Sequence, residues 1–278
     1  MTIDVAISAA QVQPLQVRGK LVVVIDVLRA SSVICTGLYH GATEFIPMNK
    51  VSKAIRYAHL KHNTFKTESV VVENDTKYHN DWANLLHINK NIQPERTYKK
   101  NESRLLAGEQ NGFKINDFDL GNSPLEYTAE VVKDKTIVII TTNGTHAIKN
   151  SAAAHELIIA CFLNIDKVCE YIQEQEHDVV VVCAGTLDQF SLDDALCAGN
   201  IIANLVAKDK EIELTDAAFA HKTLYESVEN KDLKAVLKEG CQHYTYLENN
   251  GFSEDLDYCL RKNSCPVVPK FFRYIIAL

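Results

Sequence analysis

No apolar run in the 278-residue chain approaches the roughly 18 residues of a membrane span. The opening segment, Met1 to Ala10, also lacks the basic-then-apolar layout of a secretory leader. Both absences predict a cytoplasmic protein with no membrane partner. Cysteine is present eight times but never in a CxxC pair, which excludes a zinc site of the usual spacing. Scattered through apolar segments, these thiols read as reduced core residues. Positive charge is short, with 29 Lys and Arg against 36 Asp and Glu for a net −7. That balance excludes general nucleic-acid binding. An anionic substrate must then be held by local cations and main-chain amides. The phosphate-binding signatures GxGxxG and GxxxxGK[ST] are missing, as is the GxSxG elbow. Tryptophan occurs once, as Trp82.

What is present starts with Lys20 to Gly41, KLVVVIDVLRASSVICTGLYHG. Leu21 to Ile25 is an apolar, β-branched run suited to a buried parallel strand. Asp26 falls where that strand ends, Arg29 follows, and Ala30-Ser31-Ser32 reads as a helix start with a hydroxyl cap. Ligands of open α/β sheets bind beyond the carboxyl ends of strands. This turn therefore offers a carboxylate, a guanidinium and helix N–H groups where small anions are handled.

Lys135 to Ile148 repeats the design: a strand from Thr136 to Ile140, the turn Thr141-Thr142-Asn143-Gly144-Thr145, then an alanine-rich helix. Overlaid, Lys20 falls on Lys135, Asp26 on Thr141 and Glu44 on Glu156, which suggests a duplicated βαβ unit. A third unit has a strand from Val179 to Cys183, a turn at Ala184-Gly185-Thr186, and a helix entered through Ser191, with Asp194 completing an [ST]xx[DE] cap. Short strands are expected at Ile3 to Ile7, Glu44 to Met48 and Glu156 to Cys161, and helices at Val51 to His62 and Asp166 to Gln175. Leu214 to Gly251 reads as helical, and Phe271 to Ala277 as one final strand. Asn74 to Asn101 reads as a polar insertion or lid with some helix near Trp82, followed by a basic patch of Arg96, Lys99, Lys100 and Arg104. Leu105 to Tyr127 leaves little room for regular structure, with Ser123 and Glu126 as a capping box around Pro124. The expected architecture is a three-layer α/β/α fold on a largely parallel or mixed sheet. It forms one domain over 1–278, built as two related halves (about 1–130 and 131–278) that share one site.

Three strands thus end in polar turns, and Gly121-Asn122-Ser123-Pro124 adds a fourth piece. Amides of the TTNGT turn suit phosphate or sulfonate oxygens, and Arg29 suits a bidentate grip. Asp26, with Asp194, Glu109 or Asp119, offers carboxylates to Mg²⁺, which takes a few such ligands and water. Together the parts suit metal-assisted phosphoryl transfer to water. The DxD of haloacid-dehalogenase phosphatases is broken by Leu28, and neither Cys183 nor Cys161 has the arginine six residues on that a cysteine phosphatase needs.

The motifs VVVIDVLRASS, LLAGE…GFKINDFDLGNSPLEY, TIVIITTNGTHAI and VVCAG…FSLDDALCAG, in order from about residue 20 to 200, resemble the 2-phosphosulfolactate phosphatases. The resemblance implies a Mg²⁺-dependent hydrolase of a phosphate ester on 3-sulfolactate, in the route to coenzyme M, and a homodimer. On this reading Asp26 with Asp194, or Glu109 or Asp193 in reserve, holds Mg²⁺. Arg29 and the turn Thr141, Thr142, Asn143, Gly144 and Thr145 hold phosphate, and Ser31, Asn122 and Ser123 contact substrate. Gly108-Glu109-Gln110-Asn111-Gly112 stands where the family pattern has Gly-Glu-Arg-Gly-Gly, a lost arginine beside the site. Two rivals stay open. One is a cysteine hydrolase of isochorismatase type, with Asp26 as base and Cys183 as nucleophile. The other is a non-catalytic anion-binding homologue.

Overall fold

The computed structural model describes residues 1–58, 103–141 and 143–278. The expected lid, its tryptophan, the basic residues Arg96, Lys99 and Lys100, and Thr142 lie outside these residues. The strands are β1 (Thr2–Ala6), β2 (Leu21–Ile25), β3 (Glu44–Pro47), β4 (Arg104–Gln110), β5 (Phe113–Lys114), β6 (Thr136–Ile140), β7 (Glu156–Ala160), β8 (Val179–Cys183), β9 (Glu213–Leu214), β10 (Lys270–Phe272) and β11 (Ile275–Ala277). The helices are α1 (Pro14–Val17), α2 (Ala30–Tyr39), α3 (Val51–Ala58), α4 (Ala129–Val132), α5 (Gly144–Asn150), α6 (Ile165–Gln173), α7 (Leu192–Lys208), α8 (Asp216–Glu226), α9 (Leu233–Gly240), α10 (Gln242–Asn249) and α11 (Ser253–Cys259).

The strands form one mixed sheet in the order β5-β4-β6-β3-β11-β10-β7-β2-β8-β1-β9. Strands β2 and β8 are apolar and buried at every position because both faces are covered there. Leu21, Val23 and Ile25 point at α6 and α7, against Val168, Ile172, Leu196, Ile201 and Leu205. Val22 and Val24 point the other way, into a core shared with Val33 and Leu38 of α2 and Ala147 and Ile148 of α5. On β6, Ile137 and Ile139 join that inner core, while Val138 and Ile140 face Ala54 and Ala58 of α3. These are the three layers.

The tail departs from the single strand expected. It is a hairpin, β10–β11, turning at Arg273 and Tyr274, both at positive φ (47° and 70°). The hairpin lies in the middle of the sheet, antiparallel to β7 on one side and to β3 on the other. Three successive antiparallel contacts mean that β4-β6-β3 runs opposite to β7-β2-β8-β1. The expected duplication has a topological counterpart: the unit β2–α2–β3 and the unit β6–α5–β7 exchange their second strands about the hairpin, giving β6-β3 on one side and β7-β2 on the other. In a flat sheet the carboxyl ends of β2 and β6 would point to opposite edges. Five strand-to-strand steps separate them, and at about 20–25° of twist per step roughly 100–125° accumulates between them. With that twist the two turns meet, and Gly144 packs against Asp26.

Leu105 to Tyr127 is more regular than its composition predicts. Arg104 to Gly108 pairs in parallel with β6, and Gly108 sits there at φ +148°, where a side chain would run into the backbone of Ile140. Asn111-Gly112 (φ 54° and 82°) makes the tight turn to β5, a pairing of residue types suited to two successive left-handed positions. Among the described residues, no helix is long and apolar enough to cross a membrane.

Candidate active site

The strand β2 ends at Ile25, and the chain turns into α2 under local rules. Asp26 replaces the expected hydroxyl as the helix cap. Its Oδ1 accepts from Ala30 N at 3.3 Å, its carbonyl accepts from Ser31 N at 2.9 Å, and its own N–H donates to Ser31 Oγ at 2.9 Å. The first amides of α2 are thereby used, and Ser31 lies buried behind the turn. These hydrogen bonds fix Asp26 at the edge of a cavity of about 430 Å³. Arg29, Glu109, Asn122, Thr141 and Asn143 line the same cavity, so four segments far apart in sequence meet there.

The remaining expected residues support the wall. Thr145 is buried, with Oγ1 donating to the Thr141 carbonyl at 2.7 Å and N–H donating to Thr141 Oγ1 at 3.2 Å. Gly144 packs against Asp26: a Cβ there would lie 2.8 Å from Asp26 Oδ2 and 2.9 Å from Ala30 Cβ. Replacing Gly144 by Ala is therefore expected to push Asp26 out of place. A misplacement of this size costs about 100-fold in kcat/KM with little loss of melting temperature; an unchanged kcat/KM would show that Asp26 tolerates displacement.

Asp194 does not cap its own helix. Its two oxygens accept from Val27 N and Gly185 N, each at 2.9 Å, so it ties the β2 turn to the β8 turn. Burial, with the charges of Asp193 and Asp26, holds its carboxyl well above the usual range against these two hydrogen bonds. Asp193 is buried as well, bonded to Ser191 Oγ and to Cys241 Sγ. Of the acids expected to gather on one ion, only Asp26 and Glu109 line the cavity. Asp119 serves the backbone, accepting from Leu106 N. The capping box around Pro124 does not form: Glu126 accepts from Gly121 N, and Ser123 Oγ reaches Asp255 at 2.6 Å.

Arg29 is 1% exposed at its side chain and fully engaged at one edge. Its guanidinium pairs with Asp255, donates to the Gly112 carbonyl at 2.6 Å, and stacks on Phe252 with Cζ 4.1 Å from the ring centre. Neither Asp255 and Phe252 nor the wall beside them stands out in the sequence. Gln242, His243, Tyr246 and Leu247 of α10 and Thr186 and Leu187 of the β8 turn also line the cavity. His243 Nε2 donates to the Leu28 carbonyl at 2.8 Å, and Tyr246 Oη donates to Asn111 O at 3.0 Å. Only a start signal for α11 was available, Ser253 followed by Glu254 and Asp255.

Burial pushes the Asp26 carboxyl up to about 6; the charges of Asp193 and Glu109 add to this, and His243 and the Ala30 amide oppose it. A cavity bordered by Asp26 and Glu109, with its arginine already paired, is short of positive charge. The Oδ1 of Asn122 is buried there with no hydrogen-bond partner. Two carboxylates and an unpartnered amide oxygen border the cavity and are oxygen donors of the kind Mg²⁺ takes, although among the described residues no three His, Cys, Asp or Glu side chains cluster as a metal site. Cys183 does not suit the nucleophile role. It is buried, does not line the cavity, and burial together with Asp194 and Asp193 raises its thiol well above the ordinary value. The position of the lost arginine, Gln110, is exposed and outside the cavity lining.

The model of the 2-phosphosulpholactate phosphatase family matches residues 7–70 and 81–273. Among curated relatives, the "Probable 2-phosphosulfolactate phosphatase" of Clostridium novyi (strain NT) is 35% identical over 271 residues, 98% of this chain and 97% of that one. The protein of the same name from Clostridium perfringens (strain SM101 / Type A) is 38% identical over 271 residues, covering 98% and 94%. That from Caldanaerobacter subterraneus subsp. tengcongensis is 39% identical over 259 residues, covering 93% and 90%. The chain belongs to the 2-phosphosulfolactate phosphatase family, a family of phosphoric monoester hydrolases.

Proposed function

We propose that the chain hydrolyses the phosphate monoester of 2-phospho-3-sulfolactate, giving 3-sulfolactate and inorganic phosphate, with Mg²⁺ as cofactor. The observation that carries this reading is the meeting of Asp26, Arg29, Glu109, Asn122, Thr141 and Asn143 around one cavity. Asp26, Glu109 and Asn122 Oδ1 would hold the ion. When bound, Mg²⁺ supplies positive charge against the phosphate oxygens and acidifies water in the site. Arg29, fixed by Asp255 and Gly112, orients the phosphoryl group with the Thr141 hydroxyl and Asn143, and opposes the charge that builds as the ester bond breaks. One of the two cavity carboxylates takes the proton of the attacking water. The water oxygen bonds phosphorus, the ester P–O bond breaks, and the proton passes to the departing alkoxide. Asp194 and Ser31 act by holding the Asp26 turn.

A phosphate-release screen over small phosphorylated hydroxy acids tests this. We expect release from phosphosulfolactate with Mg²⁺, its loss with EDTA, and indifference to iodoacetamide. Release that survives EDTA but not iodoacetamide would instead favour a cysteine hydrolase. A melting temperature raised by the ester with no phosphate released would favour the non-catalytic binder.

A further inference from the structure

Arg29 reaches the cavity already neutralised. Asp255 arrives from α11, 226 residues along the chain, and pairs with it in a setting where both side chains are almost wholly buried. The other oxygen of Asp255 accepts from Ser123 Oγ at 2.6 Å, so the carboxylate is itself held in place. The guanidinium is fixed from two further directions, by the Gly112 carbonyl and by the face of Phe252. Packing alone would be served as well by an uncharged side chain. A buried ion pair is seldom more stabilising than an apolar replacement of similar volume, so the charge of Asp255 calls for another account.

Phosphate leaves a hydrolase as a product. An unmasked buried arginine beside a metal would bind that dianion tightly and slow its release. A carboxylate on the far side of the guanidinium repels the dianion through the same low-dielectric medium. We propose that Asp255 is a positioning residue that orients Arg29 and partly cancels its charge, so that the site grips the phosphoryl group in a fixed geometry yet lets inorganic phosphate go. This rests on the hydrolase reading above and adds to it a control of product affinity.

The near-isosteric variant Asp255→Asn separates charge from shape. Its amide oxygen still accepts from Arg29, and its NH₂ still reaches Ser123 Oγ. The probe is inorganic phosphate, titrated calorimetrically against the full chain in Mg²⁺. We expect Asp255→Asn to bind phosphate about tenfold more tightly than the wild type, although its melting temperature without ligand falls. Asp255→Glu, which keeps the charge, should stay within about threefold of wild type, and the gain should vanish in Arg29→Met/Asp255→Asn. A purely structural role predicts equal or weaker binding in Asp255→Asn, and that result overturns the proposal, as does a wild type with no affinity for phosphate. If Asp255→Asn does not fold unaided, refolding in phosphate but not in chloride of equal ionic strength supports the proposal, and no recovery in either overturns it. Tighter phosphate binding in a protein that cleaves no ester would keep the part of the proposal in which Asp255 cancels the charge of Arg29, and would discard the hydrolase reading with the product-release role that rests on it.

Discussion

Asp26→Asn is expected to lower phosphate release by roughly 1,000-fold, the scale on which loss of a charge-positioning group in a closed site is felt. The same substitution should make the metal-free protein more stable at neutral pH. Asp26 is buried among acids, and its carboxyl is lifted from 3.8 to about 6. A group whose folded value lies above its unfolded value contributes stability that is complete below the unfolded value and is lost as pH rises through the folded one. Wild type therefore surrenders roughly 2–3 kcal/mol between about pH 4 and pH 7, from a shift of about two units at about 1.4 kcal/mol each. The amide of the variant carries no titrating proton and keeps that increment. Urea titrations in EDTA at pH 4 and pH 7.5 should show the two proteins close at the lower pH and the variant ahead at the higher one. A variant less stable at both would mean that the ionised Asp26 is stabilised by contacts beyond those described above. With saturating Mg²⁺ the order should narrow or reverse, because the ion favours the ionised carboxylate.

Arg29→Met is the second large effect. It removes the cation but leaves Asp255 buried, and breaking one member of a buried pair in this way costs about 3–5 kcal/mol. It also strips the Gly112 carbonyl of its donor and Phe252 of its stacked partner. Activity should be lost with the phosphate grip. Arg29→Met/Asp255→Leu, which removes both charges, should recover most of the stability and none of the turnover. Chemical denaturation of the wild type and both variants beside a phosphate-release assay decides this. Equal stability of the single and double variants would show that water reaches Asp255 and screens it.

The contrast between these residues explains what could be read from the chain alone. LVVVI and VVVVC are apolar throughout, and TIVII after its first residue, because both faces of the sheet are covered, and this is visible locally. The Asp26–Arg29 turn and the TTNGT turn were legible because a polar step at the end of such a run has a standard meaning in α/β sheets. Strand β4 was not: RLLAGEQ carries two charges and a glycine, and only its register with Thr136–Ile140 makes it a strand. Arg104 is buried with its guanidinium over Tyr57 and donating to the Tyr57 carbonyl, a pairing no local pattern encodes. Ser123 and Ser191 have the spacing of helix caps, but carboxylates take their hydroxyls instead of the local amides: Asp255, 132 residues on, for Ser123, and Asp193, two residues on, for Ser191. His243 and Asp255 meet the β2 turn across more than 200 residues of chain, so helical periodicity gave α10 without its role and left α11 unseen.

The hairpin at the centre of the sheet has a bearing on how the molecule assembles. Strands β3 and β7 do not pair with each other; residues 270–277 lie between them and join their edges. The keystone is thus supplied by the most distant part of the chain, and loop closure over such separations is slow. If the two half-sheets form before this ribbon is seated, the cavity shared by Asp26 and Asn143 is completed only when it inserts. Catalytic competence should appear late in refolding, after most of the secondary structure is in place.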